Sequence, residues 1–193
     1  MKKIFFVLTL ITSIVYAQEF TVTPTGLKDN SNLEKTYVVI NTPAKTAEQN
    51  YNNAIKYINK TYKSPKDVMK GDVKGEYISF DTHVSNFLVV KNSGAKLSID
   101  ANYTIELSFK GDRVKFEVIN LDMYHSSGFK VLFTGGIMSS YPIYKKKKQK
   151  LIRPATKTDV EVYFNNKIST IKGYLLEEVN STDDDWWKNE TID

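Results

Sequence analysis

The chain has 193 residues, no cysteine, and 27 basic against 22 acidic side chains, a net charge of +5. That length suits one domain plus a leader. The lack of Cys excludes a disulfide scaffold and thiolate metal sites, and the mild charge gives no reason to expect a polyanion partner.

Lys2 and Lys3 precede an apolar run over residues 4–16, and Val15 and Ala17 are the small residues just before Gln18. This is the pattern of a secretory signal peptide over 1–17, cut after Ala17. The rival reading is an uncleaved membrane anchor, but the run falls short of the roughly 20 apolar residues that span a bilayer. Gln18 leaves no cysteine there for a lipid. The leader holds two of the lysines, so the remainder carries +3. No other stretch approaches spanning length. The mature chain is therefore predicted to lack a transmembrane segment, to be periplasmic or extracellular, and to be held by its core alone.

Residues 18–34 read as an N-terminal extension, with a short edge strand over 18–22 and a turn or loop over 26–32, which is rich in Asn, Asp and Ser. One domain is predicted over 35–187, followed by a tail over 188–193. The compact run Tyr37-Val38-Val39-Ile40 suits a buried strand. Thr46-Ala47-Glu48-Gln49 has the spacing of a capping box. Ala47, Tyr51, Ala54, Ile55, Ile58 and Tyr62 follow as one apolar stripe of a helix. The helix should end near Tyr62, because Ser64 precedes Pro65 and is pushed out of α geometry.

Ile78, Phe80 and Thr82 share one strand phase, and Phe87-Leu88-Val89-Val90 continues it less cleanly. Asn92-Ser93-Gly94 then turns into the clearest element of the chain. Leu97, Ile99, Ala101, Tyr103, Ile105, Leu107 and Phe109 take the odd positions, and polar residues from Lys96 to Lys110 take all the even ones. Strict alternation predicts a strand with one dry face and one wet face. Gly111, in Lys110-Gly111-Asp112-Arg113, suits a two-residue hairpin turn. The return strand then faces Phe109 with Val114, Leu107 with Phe116 and Ile105 with Val118. Its phase slips at Ile119, Leu121 and Met123, which predicts a β-bulge near Ile119.

Phe129, Val131 and Phe133 alternate once more. Residues 141–154 show no period and read as a loop. Thr158-Asp159-Val160-Glu161 has capping-box spacing again. Tyr163, Phe164, Ile168, Ile171, Leu175 and Val179 form a second stripe. The order is strand, helix, strand meander, helix. That predicts a two-layer α+β domain, with helices covering the odd face of 97–109 and its even face open.

The strand Tyr37-Val38-Val39-Ile40, the opening Thr46-Ala47-Glu48-Gln49 with Tyr51, the segment Ile55-Lys56-Tyr57-Ile58, the hairpin over 103–113 and the closing helix with Asp185-Trp186 carry a resemblance. Over roughly residues 35–187 the chain resembles exported bacterial proteins grouped as a domain of unknown function with a TATA-binding-protein-like fold. The resemblance implies a curved antiparallel sheet backed by two helices. It implies no activity and no cofactor. The stretch from His83 to Ala95 and the lysine run depart from the family pattern.

Candidate sites are few. His83 and His125 are the only histidines, each with an aspartate nearby (Asp81, Asp122), and two scattered histidines are too few for a metal site. The hairpin register sets Glu106 opposite Glu117 on the wet face. Such a pair can hold a cation or work as an acid, or it can stay exposed with Lys115 diagonally across. Lys145, Lys146, Lys147, Lys148 and Lys150, with Arg153, form an acid-free basic stretch. It reads as a solvated loop or as a contact for an anionic surface. Trp186 and Trp187 either dock to close the core or anchor a partner. Asn59, Asn102, Asn180 and Asn189 sit in N-x-[ST] contexts, which arise readily by chance. No phosphate loop, nucleophile elbow or Ser/His/Asp arrangement is present, and nucleic acid is not an expected partner. These residues point to a non-catalytic exported domain that binds a protein or envelope partner through the wet face or the basic loop. A scaffolding component is the alternative, and a carboxylate-dependent hydrolase is the third reading.

Overall fold

The structure is a computed structural model, and it describes residues 19–92, 94–136 and 140–178. The expected leader, Ser93, Val179, Asn180, Trp186, Trp187 and Asn189 lie outside the described residues. The strands are β1 (Phe20–Thr23), β2 (Gly26–Asp29), β3 (Tyr37–Asn41), β4 (Met69–Val73), β5 (Tyr77–Asn92), β6 (Ala95–Lys110), β7 (Arg113–Tyr124), β8 (Lys130–Gly135), β9 (Ser140–Lys145) and β10 (Lys150–Leu151). The helices are α1 (Ala47–Thr61), the single turn α2 (Pro65–Val68) and α3 (Pro154–Leu176).

The fold is α+β. A large sheet runs β10-β9-β8-β7-β6-β5-β4, and β3 pairs with the Arg113 end of β7. Every neighbouring pair is antiparallel except β8 and β9. β1 and β2 form a separate hairpin.

The alternation of β6 does what its period requires. Ile99, Ala101, Ile105 and Leu107 are fully buried, while Asn102 and Lys110 are exposed. The turn sets the expected register of Phe109 with Val114, Leu107 with Phe116 and Ile105 with Val118. The bulge lies where β7 fits one extra residue between Ile119 and Asp122 against Thr104 and Asn102. Asn120 takes φ +56 there, in the left-handed region that Asn tolerates better than most side chains. The slip keeps Met123 opposite Ala101 on the dry face.

Helix α1 begins as its sequence predicts. Thr46 Oγ1 accepts from the Gln49 N–H at 3.2 Å, and Gln49 Oε1 accepts from the Thr46 N–H at 2.9 Å. Ala54, Tyr57 and Ile58 face the core, and Tyr62 caps the end. The Asn50 side chain donates to Thr42 Oγ1 and to the Gly111 carbonyl, which ties α1 to the β6–β7 turn.

The start of α3 differs from the expectation. It begins at Pro154, ahead of Thr158, because proline suits the first helical turn, where a missing N–H costs nothing. Glu161 is therefore a mid-helix residue, and it accepts from Thr21 Oγ1 at 2.7 Å, from the Val22 N–H at 2.8 Å and from Lys157 Nζ. Asn165 does the same on the next turn, accepting from the Phe20 N–H and donating to the Phe20 carbonyl. The dry face is thus covered by α1, α3 and the β1–β2 hairpin together. Gly26–Asp29 is a strand, where the sequence suggested a turn. Phe20, Val22 and Leu27, from the segment expected to be an extension, join the same core.

Burial alone would raise the Glu161 carboxyl, but the hydrogen bonds from Lys157, Thr21 and Val22 outweigh it and hold it below the usual carboxylate range. A carboxyl lowered in the folded state stabilises fully above its unfolded pKa of about 4.3, and that stabilisation fades as pH falls through the folded value. Glu161→Gln is expected to cost on the order of 1–2 kcal/mol at pH 7, allowing for partial exposure. Urea melts of the two proteins should converge as pH drops below 4. A gap that stays constant from pH 7 to 3 would refute the assignment.

Candidate functional site on the open sheet face

Residues 79, 81 and 83 of β5 and the even positions of β6 share the face away from the helices. The register sets Ser79 opposite Glu106, Asp81 opposite Thr104 and His83 opposite Asn102. On the other side, Asn102 faces Asp122 and Asp100 faces Tyr124. These rows bond across the strands. Thr104 Oγ1 donates to Asp81 Oδ1 at 2.7 Å, His83 Nδ1 lies 2.8 Å from Asn102 Oδ1, and Asn102 Nδ2 donates to the Tyr124 hydroxyl at 3.2 Å. Lys70 of β4 stands 3.5 Å from Asp81. A cleft of about 420 Å³ opens over this ladder beside the bulge, walled at one side by Asp67 and Val68 of α2.

Among the described residues, neither histidine meets an acid. His83 Nε2 turns to Ser85 Oγ at 3.2 Å, and His125 Nδ1 to Ser127 Oγ at 2.8 Å. Among the described residues, no group of three or more His, Cys, Asp or Glu side chains is placed to hold a metal ion. Glu106 does face Glu117, but each has its own partner. Glu106 accepts from the Tyr77 hydroxyl at 2.6 Å, while Glu117 pairs with Lys115 at 2.6 Å and with the Thr36 hydroxyl. Burial would raise Glu117, and the bonds from Lys115 and Thr36 hold it below the ordinary range instead. The two carboxylates are quenched side by side rather than shared. The largest upward shifts, at Tyr57 and Tyr103, come first from burial.

The stretch 141–154 is not an aperiodic loop. It is the β9–β10 hairpin, with Tyr141, Ile143 and Tyr144 buried. Strand β9 lies between β8 and β10 and buries consecutive residues, so it shows no alternation to read. Lys145 and Lys150 are paired across this hairpin, and Lys146, Lys147 and Lys148 form its exposed tip, with Lys148 at φ +72. Arg153 is drawn inward. Its guanidinium donates to the Pro142 carbonyl at 2.7 Å and lies 3.7 Å from the centroid of the Tyr141 ring. The structure therefore keeps five lysines of the basic stretch together and separates Arg153 from them.

No family model matches the chain, and no curated protein matches its sequence. In structure it is similar to a DUF4468 family protein from Bacteroides ovatus, with a TM-score of 0.48 and 14% identity over 76% of this chain and 90% of that one. It is also similar to a TBP-like protein from Parabacteroides distasonis, with a TM-score of 0.45 and 10% identity over 71% of this chain and 88% of that one. Those two descriptions name the kind of protein that the sequence resemblance names. The α+β assignment itself rests on the strands and helices described above.

Sequence reasoning singled out His83, Asp81 and the wet face separately and missed their assembly. The signal was the shared phase. Ser79, Asp81 and His83 alternate against Ile78, Phe80 and Thr82, just as Asn102 and Thr104 alternate against Ala101 and Tyr103. Joining the two needs the β5–β6 register, which the bulge between Val84 and Leu88 shifts.

Proposed function

We propose that this protein is an exported, non-catalytic binding domain whose open sheet face takes a hydroxyl-rich ligand such as an oligosaccharide. The ligand would sit in the cleft over Asp81, His83, Asn102 and Thr104. The observation that carries this reading is the hydrogen-bonded ladder across β5, β6 and β7. It holds donors and acceptors in fixed positions before any ligand arrives, which reduces the ordering cost of binding. Carboxylate, amide and hydroxyl groups beside the Tyr124 ring suit sugar hydroxyls. The proposed leader over 1–17 would place the domain where envelope or extracellular glycans are found. His83 Nδ1 lies against the amide oxygen of Asn102 and not against a carboxylate, so the His83–Ser85 contact lacks the acid that orients and charges the base of a Ser-His-Asp arrangement, which favours binding over hydrolysis.

Glycan-array screening followed by calorimetry on the best hit tests this. Wild type should bind, and Asn102→Ala should weaken binding about tenfold, the value of one well-placed hydrogen bond. Asn102 is exposed, so the melting temperature should hold. An array at background, or unaltered affinity in Asn102→Ala and Thr104→Ala, would sink the reading and favour a scaffolding role.

A further inference from the structure

A second groove lies at the other end of the open face, beside the β6–β7 turn. Tyr37, Val39, Phe109, Lys110, Arg113 and Lys115 line it. The Lys115 ammonium lies 4.6 Å from the centroid of the Tyr37 ring, and Lys35 lies 5.9 Å from the same ring. Lys115 is paired with Glu117. Lys110 and Arg113 are exposed, and among the described residues neither has an acidic partner. The groove thus joins an apolar and aromatic floor to an excess of positive charge.

The chain leaves α3 at this same end. The Glu177 carbonyl accepts from Lys45 Nζ at 2.7 Å and from Asn53 Nδ2 at 3.0 Å. The Lys45 N–H donates to the Thr42 carbonyl, and the Thr42 N–H to the carbonyl of Asp112 in the turn. Beyond Glu178 the sequence carries Asp183-Asp184-Asp185-Trp186-Trp187, with Glu190 and Asp193 further on and Lys188 as the one base. Extended, the residues from 179 to 186 reach about 26 Å. The other basic surface, the lysine hairpin, adjoins the first turn of α3, and that helix of 23 residues is about 34 Å long. Reach therefore selects the groove.

We propose that residues 183–187 of the same chain occupy this groove. Their carboxylates would face Lys110 and Arg113, and an indole would lie against Tyr37 and Val39. A large aromatic ring flanked by acids is the complement of an apolar floor rimmed by cations. This does not depend on the cleft over Asp81 and Asn102.

Both tryptophans of the chain lie in the segment, so tryptophan fluorescence reports on it alone. In the full-length protein the emission should be blue-shifted, and acrylamide quenching several-fold weaker than for free N-acetyltryptophanamide. The double variant Lys110→Glu/Arg113→Glu should bring both readings to those of the free amide, with an unchanged circular-dichroism melt. Adding Asp183→Lys, Asp184→Lys and Asp185→Lys to that variant should restore the protection. The three Asp→Lys changes alone alter no described residue, and they should release the indoles even if the double variant misfolds. Wild-type indoles quenched like the free amide would overturn the proposal. So would protection that survives both sets of changes. Protection that falls on dilution alongside a dimer in sedimentation would assign the groove to a second copy and overturn it too.

Discussion

Leu107→Ala should cost about 2–5 kcal/mol in a urea melt, while Ser108→Ala should stay within about 0.5 kcal/mol. The two side chains are neighbours on β6 and point to opposite faces of one sheet. Leu107 is 0% exposed, opposite Phe116 of β7 and Ile78 of β5, which are also 0% exposed. Truncation leaves a hole that Phe116 and Ile78, fixed by their ladders, cannot collapse to fill, so the cost belongs in the upper part of that range. Ser108 lies on the open face between Tyr77 and Lys115, where water can replace what its hydroxyl touches. The midpoint should move and the slope should not, because the surface exposed on unfolding is unchanged. Equal losses in the two variants would mean that the facing of the sheet is wrong.

That prediction was available from sequence, and the reason is local. Alternation over β6 records burial on one face only, and the Gly111 turn fixes the register of the return strand without help from the rest of the chain. The capping box of α1 is local in the same way, since Thr46 and Gln49 satisfy each other. Elements whose pattern is set by distant neighbours were not legible. Strand β9 hides its period because both of its faces are covered. The spacing of Thr158 to Glu161 mimics a helix start, yet Glu161 is committed to Thr21 and Val22, far away in sequence. The cleft needs the β5–β6 register before Asp81, His83, Asn102 and Thr104 meet, and the bulge at Asn120 before Asn102 faces Asp122. The lysines were visible as a run, but nothing in their order shows that Arg153 turns inward onto Tyr141.

The β1–β2 hairpin is the part whose weight the sequence understates most, and Phe20→Ala should expose it. The residue is 2% exposed, its ring centroid lies 5.9 Å from that of Phe116, and Asn165 binds its backbone at both the N–H and the carbonyl. Buried Phe→Ala changes typically cost about 3–5 kcal/mol. A detachable extension would lose no more than a surface residue does, about 0.5 kcal/mol. The expected loss is at least 3 kcal/mol, because the rings of Phe20 and Phe116 lose their contact while Glu161 and Asn165 keep the backbone of β1 in place and hold the cavity open. Relaxation of the hairpin onto Phe116 would lower that figure, so a combined Phe20→Ala/Glu161→Gln melt is informative. Removing the clamp should let β1 settle or detach, and the two losses should fall short of additive. The same packing bears on the proposed leader. A cut after Ala17 would put the new N-terminus just ahead of Phe20, with the whole of β1 retained. A protein beginning at Gln18 should therefore melt as a single cooperative unit, and one beginning at Thr25 should lose stability by at least as much as Phe20→Ala. If the protein beginning at Thr25 melts like the longer one, the hairpin is not part of the core.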